Sequence, residues 1–174
     1  MNILEEKELL KKAKEGNKHC LNLLLQNNYK ILYGFLIKLT SDVDLAEDLV
    51  QETLLKASLN IKKFRGECKF SSYLIRISIN THKNYMRKNN NIDINDSLEI
   101  SCSYDGEKEM INYLKVKEAL KYLEKMPYEK RVSFILKHYY GYSIDEISEI
   151  LSVSSGTTKS RIHNTIKKLR ELLS

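Results

Sequence analysis

Apolar side chains early in the chain recur at spacings of three and four. Leu21, Leu24, Leu25, Leu32, Phe35, Leu36 and Leu39 therefore line one face of a helix. A second stripe, Val43, Ala46, Leu49, Val50, Thr53, Leu54 and Ala57, follows Ser41, which reads as a serine cap with Asp44 in the first turn. The other face of this helix carries Asp44, Glu47, Asp48, Gln51 and Glu52, with Leu55 at the same edge. A short loop, Lys62 to Ser72 (KKFRGECKFSS), holds Gly66 and the aromatics Phe64 and Phe70. The next helix is predicted from Ser71 or Ser72 to about Arg87. Leu74, Ser78, Thr81 and Tyr85 form its packing stripe, and Arg76, Asn80, Lys83, Asn84 and Arg87 form a basic, amide-rich one.

The periodicity then stops. Asn89 to Glu109 is polar, acidic and rich in turn formers, which predicts a linker and a domain boundary. The expected organisation is a helical domain over 1–91, an acidic linker over 92–109 and a second helical domain over 110–174. Helical spacing resumes with Val116, Leu120 and Leu123, breaks at Pro127, and continues through Val132, Ile135, Leu136 and Tyr139 up to Gly141.

The last third carries the sharpest local signals. Ser143 and Glu146 have the spacing of a capping box, opening a short helix with Ile144, Ile147, Ile150 and Leu151. A turn of small residues, Ser152-Val153-Ser154, leads to a longer helix with Ile162, Ile166, Leu169 and Leu173 on its inner face. A short capped helix, a tight turn and a longer basic helix are the parts of a helix-turn-helix. The outer face of the longer helix offers Ser155, Thr157, Lys159, Ser160, Arg161, His163, Asn164 and Lys167. In a major groove, Arg or Lys reads guanine and Asn reads adenine.

Composition supports an all-α chain: six Gly, one Pro and no Trp in 174 residues leave little punctuation for many short strands. The formal net charge of +6 conceals strong blocks. Ser41 to Thr53 holds five acids and no base, whereas Lys62 to Asn91 holds eight bases against Glu67 alone. Ile92 to Glu109 holds six acids against Lys108, and Ser152 to Ser174 holds five bases against Glu171. The two basic blocks are candidate phosphate-binding surfaces, since counterion release drives sequence-independent affinity for nucleic acid; solvated helix faces are the plainer reading of the same charges.

Other chemistry is sparse. Cys20, Cys68 and Cys102 are odd in number, far apart and without zinc spacing, so free thiols are expected. His19, His82, His138 and His163 are scattered. There is no phosphate-cradling glycine loop, paired-histidine site or nucleophile motif, so no cofactor, metal or small-molecule substrate is expected, and no enzymatic activity. No window reaches the roughly 18 apolar residues of a membrane span, and the start MNILEEKELL is unlike a secretory signal, which points to the cytoplasm.

Two stretches of this chain resemble the extracytoplasmic-function sigma factors of bacterial RNA polymerase. The first is Asp44-Leu45-Ala46-Glu47-Asp48-Leu49-Val50-Gln51-Glu52, then Phe64-Arg65-Gly66, Phe70, Tyr73-Leu74-Ile75-Arg76-Ile77-Ser78-Ile79-Asn80 and Arg87-Lys88. The second is Leu123, Met126-Pro127, Arg131, Phe134, Tyr139-Tyr140-Gly141-Tyr142-Ser143, Glu146-Ile147 and Gly156-Thr157-Thr158-Lys159-Ser160-Arg161-Ile162. Both occur in the family's order on either side of the linker.

The resemblance implies a promoter-specificity subunit. Asp44, Glu47, Asp48, Gln51, Glu52 and Leu55 would meet the clamp helices of the largest polymerase subunit, in keeping with carboxylates that have no local cationic partner. Phe64, Arg65, Lys69, Tyr73, Arg76, Asn80, Lys83, Asn84 and Arg87 would open and hold the minus-ten element. There the aromatics would wall an unstacked base and the cations hold phosphates. Phe64, Phe70 and Tyr73 are alternatively core aromatics, Phe70 above all. Ser155, Thr157, Lys159, Ser160, Arg161 and Asn164 would read the minus-thirty-five element, beside the polymerase flap. An anti-sigma protein, often membrane-anchored in this family, would be a further partner. Tyr139, Tyr140 and Tyr142 are expected to pack. Departures from the family pattern are Tyr73 for Trp, Ser78 and Ser148 for Ala, Ser152 for the turn Gly, Thr158 for Val and Asn164 for a frequent Arg. A helix-turn-helix regulator binding duplex DNA as a homodimer is the alternative, although no heptad seam for dimerisation is evident.

Overall fold

The computed structural model describes residues 3–89, 114–115, 117–119, 121–123 and 125–174. The chain divides into two compact units, Met1–Ile94 and Asn95–Ser174. The expected linker and Cys102 lie outside the described residues. Among those described, all regular structure is helical.

The first unit comprises α1 (Ile3–Lys14), α2 (Lys18–Thr40), α3 (Val43–Leu59), a single 3-10 turn (Ile61–Lys63) and α4 (Phe70–Lys88). Its core comes from Leu24, Leu32, Phe35, Leu36 and Leu39 of α2, Ala46, Leu49, Val50 and Ala57 of α3, and Phe70, Leu74, Ile75 and Ile79 of α4. Ser41 does not cap α3 as expected. It ends α2 in the left-handed conformation, φ 57°, with its N–H on Ile37 O at 2.9 Å. That leaves Asp42 extended, and its Oδ1 accepts the Leu45 N–H at 3.0 Å. A carboxylate at this position satisfies an orphan amide and complements the helix dipole together. Val43, assigned by its spacing to the packing stripe, is 55% exposed.

In the second unit, residues 114–115, 117–119 and 121–123 are helical, followed by α5 (Tyr128–His138), α6 (Ile144–Leu151) and α7 (Ser155–Leu173); Val116 and Leu120 lie outside the described residues. Val132, Ile135, Leu136, Ile147, Ile150 and Ile162 form the core with Ala119, Met126 and Tyr142. Tyr139 departs from the packing expectation and is 60% exposed. The buried stripe of α7 is Thr158, Ile162 and Thr165, while Ile166 and Leu169 are half-buried and Leu173 is exposed. The threonines tolerate burial because their hydroxyls reach Ser154 O at 3.3 Å and Arg161 O at 2.9 Å.

Candidate polymerase and promoter surfaces

The acidic face of α3 forms as the spacing predicts: Asp44, Glu47, Asp48, Gln51, Glu52 and Leu55 are all exposed. Glu52 corrects the expectation of carboxylates without local cations. Lys56, one turn on, pairs with it at 2.6 Å. Leu55 is 59% exposed and Leu59, four positions later, is 75% exposed, so the face ends in an apolar strip. Leu59 was missed in the sequence, although it continues the same three-and-four spacing. Exposed leucines next to carboxylates suit a partner that is itself apolar and basic.

The loop before α4 is built around three rings. Phe64 and Phe70 meet edge to face at 5.6 Å, Phe64 and Tyr73 stack at 4.6 Å, and Phe70 and Tyr73 are 5.7 Å apart. Phe70 is fully buried and Phe64 is only 5% exposed, so Phe64 is not the exposed wall its motif position suggested. It is a core residue that backs Tyr73. Burial also raises the Tyr73 hydroxyl above its ordinary range, which keeps it protonated. α4 starts at Phe70, earlier than the serines predicted, because the Phe70 ring is buried and its N–H is bonded to Glu6.

Tyr73 opens onto a hollow of about 480 Å³ that is also lined by Lys56, Asn60, Lys63, Ile77, Asn80, Thr81 and Asn84. Such a volume lies within the roughly 300–1,000 Å³ of small-ligand pockets. Of the residues expected to meet the minus-ten element, the structure brings Tyr73, Asn80 and Asn84 together here. Lys56 donates to Thr81 Oγ1 at 3.0 Å, and Asn60 Nδ2 donates to Lys56 O at 2.9 Å, which fixes that rim. Arg65, Lys69 and Arg76 are exposed and do not line the hollow, and Lys83 is half-exposed outside it. Arg65 lies 3.8 Å from Glu67, and Arg87 donates to Asn84 Oδ1. Lys56, Asn60 and Lys63 were missed in the sequence. Their spacing of four and three, carried past the end of α3, was the available signal.

In the second unit the capping box is present: Ser143 N–H donates to Glu146 Oε2 at 2.8 Å and Glu146 N–H to Ser143 Oγ at 3.2 Å. Ser152 then turns the chain at φ 55°, a left-handed conformation that favours glycine. Ser154 caps α7 by accepting the Thr157 N–H at 3.1 Å, and its hydroxyl also meets Thr157 Oγ1 at 2.9 Å. Ser155 Oγ donates to Asp145 Oδ1 at 3.0 Å, tying the starts of the two helices together. Thr157, Lys159, Ser160, His163, Asn164 and Lys167 are exposed, as expected of a reading face. Arg161 differs. It is half-buried at the edge of the packed stripe, three residues after Thr158, and its Nη1 is buried with no hydrogen-bond partner among the described residues. It therefore lies at the edge of this exposed face and not at its centre.

Comparison with known proteins follows this division. Residues 24–92 match Sigma-70 region 2, and residues 117–169 match Sigma-70, region 4. The ECF RNA polymerase sigma factor EcfG of Rhodopseudomonas palustris is 30% identical over 143 residues, covering 82% of this chain and 78% of its own. The ECF RNA polymerase sigma-E factor of Haemophilus influenzae is 29% identical over 171 residues, covering 91% and 90%. Among solved structures, the sigma factor RpoE of Bartonella quintana, in complex with the anti-sigma factor NepR, aligns with a TM-score of 0.68 at 29% identity over 87% of this chain and 95% of that one. With both regions matched in order and relatives similar over most of their length, this chain belongs to the extracytoplasmic-function sigma factors of RNA polymerase.

Proposed function

We propose that the chain binds core RNA polymerase and directs it to a particular set of promoters. In this reading the acidic and apolar face of α3 docks on the clamp helices of the largest subunit, through Asp48, Gln51, Glu52 and Leu55 with Leu59. The loop and α4 open the minus-ten element: an unstacked base rests against Tyr73, Asn80 and Asn84 present polar groups to its edge, and Lys56, Lys63, Arg76, Lys83 and Arg87 hold the strand's phosphates. α7 reads the minus-thirty-five duplex with Thr157, Lys159, Ser160 and Asn164, flanked by Ser155 and Arg161, and its unit meets the polymerase flap. The role is non-enzymatic and belongs to the cytoplasm. An anti-sigma protein would be a further partner; the similar sigma factor RpoE is seen in complex with the anti-sigma factor NepR.

The observation that carries the reading is the hollow beside Tyr73. A regulator that only binds duplex DNA as a homodimer has no use for an aromatic-walled, amide-lined recess, nor for the acidic face of α3. Binding of the purified full chain to purified core polymerase tests it. Stoichiometric association that Asp48→Ala with Gln51→Ala weakens is expected. No association, together with tight dimeric binding to duplex DNA, would establish the alternative.

A further inference from the structure

Helix α1 has no part in the surfaces above, and the Sigma-70 region 2 match begins only at residue 24. Yet three of its side chains, one turn apart on one face, converge on the loop before α4. Glu6 Oε1 accepts the Phe70 N–H at 3.0 Å. Leu10 Cδ2 stands 3.7 Å from the place a Cβ would take on Gly66, and Lys14 Nζ lies 5.9 Å from the centroid of the Phe64 ring.

The first turn of any helix leaves backbone N–H groups without intrahelical partners, and it favours negative charge. α4 does not meet this need locally. Its N-cap is Lys69, which makes no side-chain cap bond, and its first turn contains no acid. Glu6 supplies from α1 both the missing acceptor and the missing charge, in a part-buried setting where a charge-assisted bond is strong. The amide it holds belongs to Phe70, whose ring touches Phe64 and Tyr73. Tyr73 itself lies in this first turn, its N–H bonded to Lys69 O at 3.2 Å. Gly66, at φ +83°, supplies the left-handed turn between the loop's two ends.

We propose that Glu6 is a positioning residue for promoter opening: by capping α4 from α1 it fixes the Phe64–Phe70–Tyr73 cluster, and with it the wall of the hollow that receives the unstacked base. The proposal rests on the function stated above, and its test separates the two. Glu6→Ala and Glu6→Gln are made in the full chain. Amide exchange across residues 64–74 is measured on the free protein. Affinity for core polymerase and permanganate reactivity of minus-ten thymines are measured on the holoenzyme.

Losing a cap should speed exchange at the Phe70 amide about fivefold or more in Glu6→Ala. Open-complex formation at saturating protein should fall by a similar factor, with core affinity unchanged within about twofold. Glu6→Gln, which keeps the acceptor without the charge, should recover at least half of the opening. Opening by Glu6→Ala within twofold of the parent, or an equal loss of core affinity, would overturn the proposal. Should the parent chain open no promoter on core, the stated function falls, and exchange at Phe70 still decides whether Glu6 holds the loop.

Discussion

Ser148 and Thr158 stand where the family usually carries alanine and valine, and the two departures meet: their hydroxyl oxygens are 2.9 Å apart in the buried seam between α6 and α7. The Ser148 hydroxyl is also 2.7 Å from Ile144 O, and that of Thr158 is 3.3 Å from Ser154 O. The distances favour Ser148 donating to Ile144 O while Thr158 donates to Ser148 Oγ. Ser148→Ala then leaves Thr158 only its longer contact, and Thr158→Val leaves Ser148 without its donor. Each loses the same bond, worth about 1 kcal/mol net. The double variant has lost that bond only once and replaces the pair with apolar groups, so it should cost about 1 kcal/mol and not 2, a coupling of about 1 kcal/mol. Urea unfolding of the full chain, followed through the methyl signals of Ile147 and Ile162, confines the measurement to the second unit. Costs that add within about 0.3 kcal/mol would show that the hydroxyls do not bond to each other.

Ser152→Gly should stabilise the second unit by about 0.5–1 kcal/mol in the same assay, since relief of a left-handed φ at a non-glycine residue outweighs the added freedom of the unfolded chain. Burial, and then the neighbouring Tyr142, push the Tyr140 hydroxyl up to about 12, and burial, reinforced by Glu129 against Arg131, pushes Tyr128 up as well. Their contribution to stability is therefore complete below pH 10, the ordinary tyrosine value; that of Tyr140 is lost as pH rises from 10 to about 12, and that of Tyr128 at still higher pH. An ultraviolet titration should show a part of the tyrosine signal ionising late, together with loss of helix; complete ionisation in one ordinary transition, with the chain still folded, would refute this. Asp48→Ala with Gln51→Ala should weaken core binding at least severalfold while circular dichroism stays unchanged, because both side chains are exposed on α3 and pack against nothing in the core.

What the sequence made legible was mostly local. The capping box at Ser143 and Glu146 and the outer face of α3 depend on residues three or four positions apart, and both formed as read. Ser41 was misplaced because the end of one helix and the start of the next compete for the same two residues, and the αL requirement of α2 took precedence. The true cap of α4 was invisible because it comes from Glu6, 64 positions away. Phe64 carried the right motif, but its depth depends on Lys14 and Tyr73, which no spacing joins to it. Lys56 reads as part of the acidic helix, yet its ammonium reaches Thr81 at the rim of the hollow. The inner face of α7 was misjudged because its buried threonines look polar until their hydrogen bonds are counted.

The central claim is promoter-directed initiation, and run-off transcription measures it most directly. Purified core polymerase is combined with the full chain on a template drawn from transcripts that rise when the chain is overproduced. A discrete transcript that depends on the chain and is lost with Tyr73→Ala is the result this account predicts. No transcript from a chain that folds and binds the same template as a homodimer would contradict it.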